Sequence, residues 1–130
     1  MFELTMNGQV VQLNFGMGFL REMNKKVSVP VDGMPNVKQD VGCRYNIAKI
    51  LDGDVEALVD VIDAGNKGCT PRVTRAAIDA FVDDEETNID QVFDTVLGFL
   101  EKANATKKIT LAVMEAIENE KAEREARKQS

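Results

Sequence analysis

Residues 2–15 read FELTMNGQVVQLNF, and this stretch decides the N-terminal part of the fold. Asn7-Gly8 lies between two alternating segments and predicts a two-residue type I′ turn, because both turn positions need positive φ. That turn pairs Leu4 with Val11, and the pleat then gathers the apolar side chains on one face. The apolar face consists of Phe2, Leu4, Met6, Val11 and Leu13. Because a lone hairpin is marginally stable in water, we expect this face to pack on helices.

After Gly16 the apolar residues recur at intervals of three or four, which indicates amphipathic helices. The first helix is expected to carry Met17, Leu20, Met23 and Val27. Residues typical of helix ends then mark five more helices. The second helix is expected to end at Gly53, and the third to extend from Asp54 to Gly65. The fourth, fifth and sixth helices are expected to begin at Thr70-Pro71, Asn88 and Thr106. Asp, Asn and Thr side chains accept hydrogen bonds from free N–H groups at a helix start, and Gly permits the positive φ that ends a helix.

Residues 28–39 contain the residues that favour turns and remove backbone donors, Pro30, Asp32-Gly33 and Pro35. We expect a long loop here. A small second hairpin about Asp32-Gly33 is the alternative, which the two prolines disfavour because proline cannot donate to a strand ladder.

The predicted fold class is therefore α+β and mostly α, with an N-terminal β-hairpin packed on a bundle of about six short helices. We expect one globular domain over residues 1–118, with the hairpin at 2–15 and helices from 17 onward. Residues 119–130 are almost all charged or small, which predicts a charged helix or a frayed tail. Glu120 with Arg124, and Glu123 with Arg127, stand in the i,i+4 order that stabilises an exposed helix.

Composition excludes several classes of function. The chain has 130 residues, 16 Lys and Arg against 22 Asp and Glu, and a net charge of −6. No His is present, so the commonest general base and zinc ligand are missing. The acidic balance disfavours duplex nucleic-acid binding, which needs a basic face. No apolar run approaches the ~18 residues of a membrane span, and no signal peptide is visible, so we expect a cytoplasmic protein.

Candidate chemical motifs have simpler structural explanations. The acidic residues of 52–63 and 83–90 lack the spacing of a calcium loop and are explained by helix capping and an exposed loop. Cys43 and Cys69, without His, cannot complete a zinc site and are expected to be reduced thiols. Gly16-Met17-Gly18 lacks the rest of a phosphate-binding loop. The sequence thus predicts no catalytic residue, no metal site and no cofactor.

The six Met and six Phe exceed what one small core needs, and flexible thioethers suit surfaces that accept irregular apolar partners. We expect some of them to contact a partner protein. A stripe on the last helix has no obvious partner within the chain and is expected to mediate self-association. The candidate residues are Met17, Phe19 and Met34 for a partner, and Ile109, Val113, Met114 and Ile117 in the stripe.

Four segments resemble the tail assembly chaperones of long, non-contractile-tailed bacteriophages and prophages. They are FELTMNG at 2–8, LNFGMGFLREMNK at 13–25, LVDVIDAG at 58–65 and IDQVFD at 89–94. The resemblance extends over residues 1 to about 104 and concerns the order of elements, a short hairpin followed by small helices, not an invariant chemical motif.

The resemblance implies a non-enzymatic protein of the bacterial host cytoplasm that is absent from the mature virion. Such chaperones bind the long, helical, aggregation-prone tape measure protein, keep it soluble and help to recruit tail tube protein. Many copies along so long a partner imply a homo-oligomer. The family often makes a longer product by frameshifting, and this chain would be the short form. The alternatives are a generic acidic helical adaptor or regulator of a phage or mobile element, and a carboxylate-metal enzyme.

Overall fold

A computed structural model describes residues 1–128 and contains two antiparallel hairpins and six helices within that range. The strands are β1 (Phe2–Met6), β2 (Gln9–Leu13), β3 (Ser28–Val31) and β4 (Met34–Asp40). The helices are α1 (Met17–Asn24), α2 (Gly42–Leu51), α3 (Val55–Asn66), α4 (Arg75–Asp83), α5 (Ile89–Lys102) and α6 (Lys107–Lys128). The predicted class, α+β and mostly α, is confirmed.

The N-terminal hairpin has the predicted turn and register. Asn7 and Gly8 have φ of 51° and 76°, and Leu4 lies opposite Val11. Four of the five residues of the predicted apolar face are buried, and Phe2 is half-buried against the core. Turn chemistry and hydrophobic alternation favour the same register, so this hairpin is specified locally.

The apolar face of this hairpin packs along α5 and α3. The Phe2 ring stacks on Phe99 with ring centroids 4.8 Å apart. At the other end of the hairpin, the turn residue Gly8 and the start of α5 at Asn88 line one cavity. The hairpin therefore runs the length of α5, with its turn at the N-terminal end of that helix.

Helix α3 continues through Gly65 to Asn66, so the predicted stop at Gly65 is wrong. The positive φ that follows the helix belongs to Gly68. Gly65 serves a packing purpose instead, because a Cβ there would lie 2.7 Å from Cε1 of Phe15. The absence of a side chain lets the hairpin approach the helix.

The Asn66 carboxamide joins three parts of the fold. Asn66 is fully buried, and its Nδ2 donates to the carbonyl oxygens of Gln12 at 3.0 Å and Pro71 at 3.1 Å. Its Oδ1 accepts from the Val73 N–H at 2.7 Å and from the Arg72 guanidinium at 3.1 Å. These bonds satisfy backbone groups of β2 and of the segment before α4.

This network explains why the predicted helix start at Thr70-Pro71 is wrong. Asn66 holds the backbone of residues 71–73, and α4 begins only at Arg75. Thr74 is the N-cap, and its Oγ1 accepts from the Ala77 N–H at 3.1 Å. The Thr70-Pro71 peptide is cis and lies in the connection.

The other three predicted helix starts, Asp54, Asn88 and Thr106, each directly precede a helix. The caps at Asp54 and Asn88 are confirmed, with side-chain oxygens accepting from the N–H groups of Ala57 at 3.0 Å and Gln91 at 3.2 Å. Thr106 does precede α6, but its hydroxyl donates to the Leu100 carbonyl at 2.7 Å. Thr106 is thus confirmed as the start of the last helix, since its carbonyl oxygen accepts from the Thr110 N–H at 2.9 Å, while its hydroxyl closes the turn between α5 and α6.

The segment after α1 also differs from prediction. Helix α1 ends at Asn24, before Val27, whose carbonyl oxygen accepts from the Val41 N–H at 2.8 Å. Residues 28–40 form the second hairpin, so the predicted long loop is wrong and the disfavoured alternative is the observed structure. Pro30 is tolerated because β3 belongs to a two-stranded sheet, in which every strand has a free edge.

Helix α6 runs without interruption from residue 107 to residue 128. The predicted charged tail is therefore helical from 119 to 128, and residues 129 and 130 lie outside the described part. The two i,i+4 pairs are present, Glu120 with Arg124 at 2.5 Å and Glu123 with Arg127 at 3.6 Å. Both pairs are exposed, so each contributes only about 0.3–0.5 kcal/mol.

The start of α2 packs directly against the end of α1 and generates a test of this fold. A Cβ on Gly42 would lie 1.7 Å from the Met23 carbonyl oxygen. We expect Gly42→Ala to lower the free energy of unfolding by about 2 kcal/mol or more, because backbone must move to admit the methyl group.

Gly98→Ala is the matched control in urea denaturation of both variants. Gly98 lies inside α5 with nothing within 4 Å of an added Cβ. Alanine there should raise the free energy of unfolding by about 0.5–1 kcal/mol through helix propensity. Equal effects of the two substitutions would contradict the α1–α2 contact described here.

Candidate partner-binding surfaces

The second hairpin is the most exposed element of the described chain. We call residues 28–40 the arm. Ser28 lies opposite Asp40 and Pro30 opposite Lys38, with an irregularity in register between Pro30 and Val31. All seven residues of β4 are exposed. The base of the arm is fixed by the Ser28 hydroxyl, which donates to the Asp40 carboxylate at 2.5 Å.

Apolar side chains of the arm face solvent. Val29, Met34 and Val37 are 40%, 52% and 47% exposed. Val29 lies opposite Gln39, and Val37 is two residues from Gln39, so the alternation of a strand places the two valines on one face. Prolines and a shifted register weaken strand addition at the edges. A partner would therefore be recognised mainly by this apolar face.

Met34 is the only one of the predicted partner-binding residues in the arm, and the sequence analysis missed Val29 and Val37. The signal for them was present. Alternating valines flank Asp32-Gly33, as in a hairpin, but the prolines outweighed that pattern.

The stripe on the last helix has partners within the chain, so the premise for its self-association was wrong. Val113 is buried in the core, and Ile109 and Ile117 pack against the core. Ile117 also lines a groove of about 380 Å³ with Tyr45 and Leu51 of α2. Met114 is half-buried and lies outside that core. A partner contact through Met114 or the exposed side of Ile117 stays a prediction.

The two remaining predicted residues, Phe19 and Met17, differ in their exposure to solvent. Phe19 is buried, and its ring meets that of Phe15 edge to face at 4.9 Å. It therefore belongs to the core. Met17 is 49% exposed and lines a cavity of about 480 Å³ with Phe2 and Lys102. Met17 and Met34 are thus the predicted contact residues that the structure leaves most accessible.

Some of the acidic residues that were predicted to cap helices or to lie exposed make structural contacts. Asp54 caps α3, and the Ala57 N–H lowers the pKa of its carboxyl group. Asp63 pairs with Arg72 at 3.0 Å. Among residues 1–128, no three His, Cys, Asp or Glu side chains are grouped so as to hold a metal ion.

No helix within the described range has the length and apolar character needed to cross a membrane.

Comparison with known families shows which family the chain resembles over most of its length. Residues 3–115 match the model of a family described as phage tail assembly chaperone protein, TAC. The matched range covers most of the chain and agrees with the resemblance seen in the sequence. No curated protein and no solved structure matches the chain.

The two thiols differ in burial, which predicts different reactivity. Cys43 is 1% exposed, and burial raises its pKa to about 11. At pH 8 roughly one in a thousand Cys43 thiols would be ionised. Cys69 is half-buried. We expect iodoacetamide to label Cys69 first in the native protein, with Cys43 labelling rising as the pH approaches 11.

Peptide mass spectrometry measures both sites separately. Guanidinium chloride supplies the control, since unfolding should make the two cysteines react at similar rates. Equal labelling of both cysteines in the native protein at pH 8 would contradict the burial of Cys43.

Proposed function

Because the chain belongs to the phage tail assembly chaperone family, we propose that it binds the tape measure protein and keeps it soluble during tail assembly. It then helps to recruit tail tube protein, which replaces it. In this proposal the chain acts without catalysis in the cytoplasm of the bacterial host and is absent from the mature virion.

The observation that carries the proposal is the exposed apolar face of the arm. An aggregation-prone helical partner presents apolar stripes, and the face of the arm that bears Val29 and Val37 can cover such a stripe. Met34 adds a flexible thioether that adapts to irregular surfaces. The net charge of −6 disfavours aggregation of the resulting complex.

The size of this face sets the strength of each contact. Burying the exposed half of a Val or Met side chain contributes about 1 kcal/mol. Even Val29, Val37 and Met34 together contribute at most about 3 kcal/mol, whereas association costs about 4–15 kcal/mol in lost freedom and ordering. One arm therefore binds weakly, and stable coverage of a long partner needs many copies acting together. This argument supports a homo-oligomer along the tape measure protein.

The proposal is tested by co-expressing the tagged chain with the tape measure protein of the same phage genome. We expect the tape measure protein to become soluble and to co-purify. If it stays insoluble and unbound both with this chain and with any longer frameshifted form, the proposal fails and a generic helical adaptor becomes the better hypothesis.

The contribution of the arm is tested by the double variant Met34→Glu with Val37→Glu. We expect it to fold normally, because both residues face solvent, and to lower affinity for the tape measure protein about tenfold or more. Circular dichroism and the yield of co-purified tape measure protein measure the two effects.

Leu111→Glu is the matched control, since Leu111 is an equally exposed apolar residue on α6. It should leave capture unchanged. If the arm variant captures as much tape measure protein as the control, the arm is not the binding surface.

A further inference from the structure

The arm is held by the core only at its base. Helices α1 and α2, which flank the arm in the chain, pack against each other, and the Cys43 N–H donates to the Asn24 Oδ1 at 3.1 Å. Closer to the arm, the Val41 N–H donates to the Val27 carbonyl oxygen at 2.8 Å. These contacts keep the two ends of the arm together whether or not its strands are paired.

Beyond its base, the arm receives little support from the rest of the described chain. Within residues 1–128, neither of its strands makes an extensive contact with a helix or with the other sheet. Every residue from 28 to 40 is exposed except Val31, which is half-buried. Because stabilisation by apolar side chains scales with the area removed from water, the valines of the arm contribute little to its stability in the free protein.

The N-terminal hairpin of the same chain provides a comparison. It also consists of two antiparallel strands, but its Leu4, Met6, Val11 and Leu13 side chains are buried in the core. An isolated two-stranded hairpin is marginally stable in water, whereas a hairpin with one buried face opens only when the core around it opens. The two hairpins therefore have the same topology but different stability.

The strand pairing of the arm is also weakened from within. Pro30 and Pro35 have no N–H group to donate, and the register shifts between Pro30 and Val31. The hydrogen bond between Ser28 and Asp40 at the base is exposed, so water competes with it. The arm is thus stabilised by little more than its own turn and a few backbone hydrogen bonds.

We propose that the arm opens and closes locally in the free protein and becomes ordered when the tape measure protein covers its apolar face. The inference rests on the proposed function for the identity of the partner, whereas the local opening concerns the free chain alone. Because the base is fixed by the core, the strands separate without unfolding the domain. Ordering the arm uses part of the binding free energy, which keeps each contact weak.

Hydrogen–deuterium exchange followed by mass spectrometry tests the local opening. In the free protein, the amides of residues 28–40 should exchange within about tenfold of the rate of an unfolded chain. The paired amides of residues 2–13 serve as the matched control and should exchange at least about a hundredfold more slowly than those of the arm. When the tape measure protein is bound, exchange in the arm should slow by about tenfold or more, and exchange in the N-terminal hairpin should stay the same.

A removable cross-link tests the cost of ordering. Residues 30 and 38 lie opposite each other, on the face of the arm that does not carry Val29 and Val37. Pro30→Cys with Lys38→Cys therefore brings two thiols within reach of a disulfide and leaves the valines unchanged. Cys69→Ser is added because Cys69 is the more accessible of the two natural thiols.

The oxidised form of this variant should bind the tape measure protein about threefold or more tightly than the reduced form, because its arm is already ordered. The reduced form has the same sequence and is the control for the substitutions themselves. Exchange measurements on the oxidised form verify that the cross-link has ordered the arm.

The proposal is overturned if the amides of the arm in the free protein are as protected as those of the N-terminal hairpin. It is also overturned if a bound tape measure protein leaves exchange in the arm unchanged, or if the oxidised and reduced forms bind equally. Fast exchange in the arm without any capture of tape measure protein would support the local opening and count against the proposed function, so the two failures are distinguishable.

Discussion

The buried carboxamide of Asn66 is the contact on which the arrangement of the fold depends. A buried polar group must be satisfied, and unmade hydrogen bonds there cost about 1–3 kcal/mol each. The side chain of Asn66 makes hydrogen bonds through both its Nδ2 and its Oδ1. The same bonds satisfy the backbone groups of Gln12, Pro71 and Val73. It therefore fixes the N-terminal hairpin against α3 and delays the start of α4. The neighbouring N–H of Asn14, which donates to the Gly65 carbonyl at 2.8 Å, reinforces the same junction.

The position of the hairpin then determines which surfaces remain free. With Phe15 held against Gly65 and Phe2 stacked on Phe99, the hairpin covers parts of α3 and α5. The apolar sides of α2 and α5 are covered in turn by α6, which places Val113 in the core. After these contacts the arm still presents valines and a methionine to solvent. The candidate surfaces are thus what the core leaves uncovered.

How much could be predicted from the sequence depends on how local the cause is. The first hairpin and the caps at Asp54 and Asn88 follow from neighbouring residues, and all were predicted. The role of Gly65 depends on its contact with Phe15, and the conformation of Thr70-Pro71 depends on the hydrogen bonds of Asn66. A local sequence pattern does not show these contacts. The candidate surfaces divide in the same way. Met34 was predicted from its residue type. The burial of Phe19 and Val113 depends on packing, which the sequence does not show. Val29 and Val37 were missed because the two prolines disfavoured the hairpin that exposes them.

In the proposed function, the weakness of a single arm contact is a physical advantage, because the chaperone must later be displaced. A contact contributing at most about 3 kcal/mol would dissociate quickly, so an incoming subunit would replace one copy at a time. Strong coverage then comes from the number of linked copies, and that number depends on the contacts between copies. In the proposed function, weak apolar binding by the arm and the presence of many copies are therefore complementary parts of one mechanism.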